Sequence, residues 1–285
     1  MKLPPFEYAC PTSLNEAVAL LASHDGEAKP LAGGQSLMPM MAFRVAQPTL
    51  LVDLRKLSDL RGIRIGADGV RLGALVRWRD ILDDKRLETA HPLLKAAISH
   101  VAHYQIRNRG TVGGSIAHAD PAAEMPGICQ TCDAVISVIG KAGMRQIKAK
   151  DFFRGALTTA LEPDEIVTEI HLPAWPAARR YDFQEFARRR GDFAMSGVAL
   201  YYDVEGGKAA NAHIGVIGVG DHARRLGKAE AVVNSNTVNE ALAVKAGEAA
   251  SAEVEPQDDI HASAAYRRSL TGTLVERALL AAMAR

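Results

Sequence analysis

The sequence has too few cysteines for two kinds of site. It contains only three, at Cys10, Cys129 and Cys132. That number does not form a disulfide framework, and an iron–sulfur cluster normally takes four cysteine ligands. The CxxC spacing of Cys129 and Cys132 has no second CxxC or nearby histidine pair to complete a zinc site. We therefore expect no metal on this chain, cysteines buried as small apolar side chains, and a reducing cytoplasmic location.

Long apolar runs and a strong net charge are also missing. About 18 consecutive apolar residues would indicate a transmembrane helix, and the N-terminus has no apolar stretch of signal-peptide length, so we expect neither feature. The formal net charge is +1, which gives no indication of nucleic acid or anionic lipid as a partner. No Ser-His-Asp order or pair of carboxylates suggests hydrolysis. With 48% hydrophobic and 24% charged residues, the chain has the composition of a globular protein.

Turn and capping signals divide the chain into two parts. The stretch Pro173-Ala-Trp-Pro176 reads as a linker. Before it, helical and strand patterns alternate, with a capping box at Ser13-Leu-Asn-Glu16 and a hairpin signal at Gly66-Ala-Asp-Gly69. After it come strands and then helices, one of them opened by the capping box Thr237-Val-Asn-Glu240. The order predicts α+β structure in both parts, with domains over 1–175 (subdomains about 1–55 and 56–175) and 176–285.

Two glycine loops carry the strongest chemical signal. They are Ala32-Gly-Gly-Gln-Ser36 and Thr111-Val-Gly-Gly-Ser115, each followed by sequence that can form a helix. Paired glycines let backbone N–H groups converge on an anion without a Cβ in the way, and the hydroxyls of Ser36, Thr111 and Ser115 can donate to phosphate oxygens. The pair predicts that both loops hold one diphosphate from opposite sides. The alternative is that each Gly-Gly is simply a tight turn.

Other glycine motifs are weaker. The first loop lacks the lysine of a P-loop. Gly218-Val-Gly220-Asp-His-Ala223 fits a loose dinucleotide fingerprint and follows a strand pattern, but no βαβ unit follows it. We interpret it as a turn.

These loops are accompanied by two further segments, Ile116-Ala-His-Ala-Asp-Pro-Ala-Ala-Glu124 and Arg188-Arg-Arg-Gly-Asp-Phe-Ala194. Together they resemble the medium, FAD-binding subunit of the xanthine oxidase and carbon monoxide dehydrogenase family of molybdenum hydroxylases. The resemblance spans nearly the whole chain and is nearest to subunits of N-heteroaromatic hydroxylases, such as those for quinoline or nicotine. It implies a two-subdomain FAD-binding domain of the vanillyl-alcohol-oxidase (PCMH) type. A C-terminal domain with a three-stranded antiparallel sheet and helices follows.

The resemblance also implies an FAD site. The pyrophosphate would lie on the first loop, Glu124 near the ribose or ring, Leu161 and Ile166 near the flavin, and Phe193 over it where several relatives have Tyr. For three of these residues a purely structural role remains the alternative. His118 could be a hydrogen-bonded structural histidine, Glu124 a charge that favours the start of a helix, and Phe193 a core residue. The residues expected to contact the cofactor are Ala32, Gly33, Gly34, Gln35, Ser36, Leu37, Thr111, Gly114, Ser115, Ala117, His118, Glu124, Leu161, Ile166 and Phe193.

The function implied by the resemblance is electron relay. FAD on this chain would pass electrons from iron–sulfur clusters of a small partner subunit to an external acceptor, while a large molybdenum subunit hydroxylates the substrate. A dimer of such heterotrimers is expected, and this chain alone should turn over no substrate. Arg188, Arg189 and Arg190 are either a solvated face, a group near the flavin, or a subunit contact. Alternatives are a carbon monoxide dehydrogenase medium subunit, a stand-alone flavin oxidoreductase, or an assembly subunit that has lost FAD.

Overall fold

A computed structural model describes residues 2–285, which form three main β-sheets with helices packed against them. The strands are β1 (Glu7–Ala9), β2 (Ala28–Leu31), β3 (Leu50–Asp53), β4 (Ile63–Gly66), β5 (Gly69–Gly73), β6 (Val135–Gly140), β7 (Gly143–Lys148), β8 (Phe153–Gly155), β9 (Thr158–Thr159), β10 (Ile166–Pro173), β11 (Arg180–Phe186), β12 (Ser196–Glu205), β13 (Lys208–Ile217) and β14 (Arg224–Arg225). The helices are α1 (Leu14–Ala22), α2 (Leu37–Ala42), α3 (Trp78–Asp83), α4 (Leu87–Ala90), α5 (Pro92–Ile98), α6 (Tyr104–Arg107), α7 (Val112–His118), α8 (Glu124–Thr131), α9 (Ala149–Phe152), α10 (Gly227–Val233), α11 (Glu240–Glu253) and α12 (Ala264–Met283), with 3-10 turns at Leu54–Lys56 and Ser58–Arg61.

The first sheet is small and parallel, in the order β1-β3-β2. Helix α1 connects its edge strands and buries Ala17, Val18 and Leu21 against the sheet. The predicted capping box is present in a shifted form. Ser13 Oγ accepts from the Glu16 N–H at 3.2 Å, but the Glu16 carboxylate accepts from the Thr12 N–H at 2.8 Å.

The second sheet is antiparallel, in the order β4-β5-β10-β6-β7. It contains the predicted hairpin at Gly66–Gly69 and a second hairpin, β6-β7, which turns between Gly140 and Gly143. Helix α7 packs against β5 and β10, and Leu72, Ile136 and Ile170 of this sheet are fully buried. A separate two-stranded ribbon, β8-β9, leads into β10.

The third sheet, β11-β12-β13-β14, is antiparallel and has three long strands plus the two-residue β14 at its edge. Helices α10, α11 and α12 cover one face. Helices α11 and α12 approach closely because Gly247 and Gly272 face each other, and a Cβ at Gly247 would lie 2.6 Å from the Gly272 carbonyl oxygen. Helix α11 begins at Glu240 with Asn239 as its N-cap, two residues later than the predicted cap at Thr237.

The second and third sheets share one continuous core across helix α8. Gly127 of α8 lies so close to β13 that a Cβ there would be 2.7 Å from the Ile217 side chain. Trp175, in the predicted linker, packs edge-on against Tyr201 of β12 at a ring separation of 5.4 Å. Gly218–Ala223 forms a turn between β13 and β14, as predicted. Within residues 2–285, no helix combines the length and apolar character needed to cross a bilayer.

Candidate functional site

A large cavity lies where the first sheet, the second sheet and the loop after β11 meet. Its volume is about 890 Å³, near the upper end of the range for small-molecule and cofactor sites. All fifteen residues predicted to contact the cofactor line this one cavity. These residues come from five separate stretches of the chain, and the fold brings all of them to one cavity.

The first glycine loop forms one wall of the cavity, between the end of β2 and the start of α2. Gly34 has a φ of +71°, a left-handed conformation that glycine adopts without strain. Gln35 closes the loop by donating from its side-chain amide to the Gly33 carbonyl at 3.1 Å. The backbone N–H groups of Gly34, Gln35 and Ser36 donate to no residue among 2–285. These three donors are therefore available to a ligand, as a phosphate cradle requires.

The second glycine loop faces the first but uses its N–H groups differently. The N–H groups of Val112 and Gly113 donate to the carbonyls of Val76 and Ala74, each at 2.9 Å. The Gly114 N–H donates to the Thr111 hydroxyl at 3.2 Å. The prediction that the second loop also offers free backbone N–H groups to the diphosphate is therefore corrected. This loop offers the cavity the side-chain-free surface of Gly114 and the Ser115 hydroxyl.

The two loops touch through their backbones. A Cβ added to Gly33 would overlap the carbonyl oxygen of Arg109 and lie 2.9 Å from the Gly110 Cα. Gly114 also faces the first loop, since a Cβ there would lie 3.9 Å from the Cβ of Ala32. The missing side chain at Gly33 therefore permits this backbone contact, and the missing side chain at Gly114 leaves its backbone uncovered toward the first loop. Lys29 is the only lysine or arginine among the described residues that line the cavity, so backbone donors must supply most of the attraction for a phosphate.

The third part of the wall is the stretch from α7 to α8. His118 ends α7, and its side chain makes no hydrogen bond with any residue among 2–285, so the structure does not support the alternative of a hydrogen-bonded structural histidine. Glu124 is the first residue of α8. Burial, together with the nearby Glu185 carboxyl of β11, raises the pKa of Glu124 to about 8. At neutral pH this side chain is therefore mostly protonated and able to donate a hydrogen bond into the cavity.

Apolar side chains complete the cavity. Leu161 is half-buried, and Ile166, at the start of β10, is 2% exposed. Phe193 lies at the cavity wall with 74% of its surface exposed, which excludes the alternative that it belongs to the core. Its loop rests on the residues before α6, because a Cβ at Gly191 would lie 2.5 Å from the His103 ring. A ligand in the cavity can therefore be covered by Phe193.

Several lining residues carry no sequence signal that we recognised. They include Lys29 in β2, the stretch 45–48 and the stretch 101–103. The three arginines 188–190 are exposed and do not line the cavity. Cys129 and Cys132 are free and buried. Burial raises the pKa of both thiols, that of Cys132 to about 12, so neither forms a reactive thiolate near neutral pH. No group of three metal-ligating side chains occurs within residues 2–285.

Two family models together match nearly the whole chain. Residues 4–175 match the family model described as the FAD binding domain in molybdopterin dehydrogenase. Residues 181–282 match the CO dehydrogenase flavoprotein C-terminal domain. The chain is 38% identical to the nicotine 6-hydroxylase medium subunit of Paenarthrobacter nicotinovorans over 100% of both chains.

Solved structures agree in fold along the entire chain. Carbon monoxide dehydrogenase from Hydrogenophaga pseudoflava superimposes with a TM-score of 0.97 at 38% identity, covering 100% of this chain and 99% of that one. Quinoline 2-oxidoreductase from Pseudomonas putida 86 gives 0.95 at 38% identity, with the same coverage. The chain therefore belongs to the xanthine oxidase and carbon monoxide dehydrogenase family, as an FAD-binding medium subunit of a multi-subunit molybdenum hydroxylase.

Proposed function

We propose that the cavity holds one FAD non-covalently, with its pyrophosphate against the first glycine loop. The observation that carries the proposal is the set of three unpartnered N–H groups at Gly34, Gln35 and Ser36 on the wall of an 890 Å³ cavity. Backbone donors of this kind suit phosphate oxygens. The Ser115 hydroxyl and the bare face of Gly114 would contact the cofactor from the other side.

The remaining predicted residues would then surround the rest of the cofactor. Leu161 and Ile166 supply apolar contact area for a flavin ring, and Phe193 covers it from the solvent side. Glu124, protonated near neutral pH, offers a hydrogen-bond donor without placing a full negative charge in the cavity. A bound flavin supplies chemistry that no side chain has, because it exchanges electrons either singly or in pairs.

We also propose the domain division that the sequence suggested, 1–175 and 176–285, with subdomains of about 1–55 and 56–175 in the first domain. The first subdomain contains the parallel sheet, and the second contains the β4-β5-β10-β6-β7 sheet. A separate apolar core between the third sheet and helices α10, α11 and α12 supports the boundary between the two domains at 175/176. The cavity lies between both subdomains and the loop at Gly191–Phe193, so FAD would contact all three units.

Partner chains follow from what this chain lacks. We propose a small iron–sulfur subunit that delivers electrons and a large molybdenum subunit that hydroxylates the substrate, in a cytoplasmic dimer of heterotrimers. The three free cysteines are too few for a cluster, so clusters must lie on another chain. An N-heteroaromatic substrate is supported by the nicotine and quinoline enzymes among the relatives. The carbon monoxide dehydrogenase match is equally good in fold and supports that enzyme as a second candidate.

Purification of the tagged chain from its native host tests this function. We expect two further subunits to co-purify, one containing iron and sulfide and one containing molybdenum, with about one FAD per medium chain released by acid denaturation. Addition of the large subunit's substrate without oxygen should bleach the flavin absorbance of the complex. Turnover of a substrate by the chain alone, or a complex without flavin, would contradict the relay.

A further inference from the structure

One segment of the cavity wall is held from outside the cavity. The 160–165 segment connects β9 to β10, and its residues Leu161, Glu162, Pro163 and Glu165 line the cavity. It has no helix or strand hydrogen bonds of its own. Arg145 of β7 binds this segment but does not line the cavity.

The Arg145 guanidinium joins both ends of the 160–165 segment. Its Nε donates to Glu165 Oε1 at 2.6 Å, and its Nη2 donates to Glu165 Oε2 at 2.7 Å. The same Nη2 donates to the Ala160 carbonyl at 2.8 Å. Bidentate arginine–carboxylate pairs are strong and restrict geometry, because two parallel bonds fix the plane of both groups. One side chain therefore ties residue 160 to residue 165, in addition to the turn bond from the Glu165 N–H to the Glu162 carbonyl at 3.0 Å.

The acceptor end of this contact is rigid. The Glu165 side chain is 7% exposed and also accepts from the Glu162 N–H at 2.8 Å. Burial opposes ionisation of this carboxyl, but the hydrogen bonds from Arg145 and the Glu162 backbone outweigh it and lower the pKa of Glu165. Next to it, Asp164 accepts from the Lys141 N–H at 2.7 Å. The absence of a side chain at Gly140 permits this approach, since a Cβ there would lie 2.8 Å from the Glu165 Cγ.

Resting on the proposed function, we propose that Arg145 is a positioning residue for the flavin. It fixes the 160–165 segment, and with it Leu161, against the bound ring, and so sets FAD retention and the redox potential of the flavin without touching the cavity. The apolar surroundings and the contacts of a cofactor are the means by which a protein tunes its potential. A gap of about 0.5–1 Å between a cofactor and its wall already removes a quarter to a half of the dispersion attraction at that contact.

The test uses the intact complex and three variants. Arg145→Ala removes all three hydrogen bonds. Arg145→Lys keeps the positive charge but loses the bidentate donor geometry of the guanidinium. Arg71→Ala is the matched control, because Arg71 lies in the same sheet and bonds Asp68 and Glu169 at 2.7 and 2.9 Å. Neither Arg71 nor Glu169 lines the cavity. Each complex is measured for FAD dissociation, flavin absorption spectrum, midpoint potential and thermal unfolding.

We expect Arg145→Ala to weaken FAD retention about tenfold and to shift both spectrum and potential, as the loss of charged hydrogen bonds predicts. Arg145→Lys should fall between this variant and the wild type. Arg71→Ala should lower the unfolding temperature to a similar extent while flavin retention and potential stay at wild-type values. Wild-type FAD retention and potential in Arg145→Ala, or equal shifts of both in Arg71→Ala, would overturn this inference and leave the proposed function standing. A wild-type complex without flavin would overturn the proposed function and this inference together.

Discussion

A Gly33→Ala variant is expected to lose its FAD. The new Cβ would overlap the Arg109 carbonyl oxygen and lie 2.9 Å from the Gly110 Cα, so it meets backbone rather than a side chain that can rotate away. Relief requires the two glycine loops to separate. Overpacking costs about 1–3 kcal/mol, and a cost of about 1.4 kcal/mol to the FAD-binding form corresponds to a tenfold loss of affinity. Flavin content per purified medium chain, read from visible absorbance, should therefore fall about tenfold or more.

A matched control separates this effect from a general cost of replacing glycine. Gly227 begins α10, its φ is not positive, and an added Cβ meets nothing within 4 Å. Gly227→Ala should therefore retain full flavin content and fold as the wild type does. Wild-type flavin content in Gly33→Ala would show that contact between the loops does not shape the phosphate site.

A Glu124→Gln variant is expected to stabilise the protein, by an amount that depends on pH. Burial and the Glu185 carboxyl raise the pKa of Glu124 from 4.5 to about 8 in the folded chain. The unfolded chain releases this proton near pH 4.5, whereas the folded chain keeps it until about pH 8. Its stabilising contribution is therefore complete below pH 4.5 and lost as the pH rises to 8. Gln cannot ionise and should escape that loss.

The measurement is thermal unfolding of both proteins between pH 4.5 and 8.5. The free energies of unfolding of the two proteins should coincide at pH 4.5 and differ by on the order of 2–4 kcal/mol near pH 8. This difference is smaller than the whole pKa shift would give, because the Glu124 side chain is only partly buried. Glu248→Gln, on the exposed face of α11, provides the comparison and should follow the wild-type curve. A Glu124→Gln difference that does not change with pH would mean that the carboxyl is ionised throughout.

Local signals in the sequence were sufficient to predict the glycine loops, the hairpins and most long helices. The hairpins depend on glycine pairs that fix the turn, and the loops depend on residues that act through their own backbone. Strand β11 was missed because its sequence carries charges within the strand, including Asp182, which is 4% exposed. That charge is tolerated because Arg285, more than a hundred residues later, bonds it at 3.0 Å. A single stretch of sequence gives no sign of such a partner.

The same reason explains the incomplete prediction of the site. The sequence suggested backbone donors in both loops, but the N–H groups of Val112 and Gly113 donate to the carbonyls of residues 76 and 74, which only the tertiary structure places there. Lys29 lines the cavity because β2 pairs with β3, and nothing in its neighbours marks it. For Phe193 the sequence left two alternatives, core or cofactor cover, and its exposure in the structure excludes the core.

The account depends most on the position of the pyrophosphate. A structure of the purified complex with FAD bound measures it directly, through the distances from the phosphate oxygens to the N–H nitrogens of Gly34, Gln35 and Ser36. We predict at least two of these distances within about 2.7–3.2 Å, the range of N–H···O hydrogen bonds. A pyrophosphate bound away from the first loop, with those three N–H groups facing only water, would contradict the account.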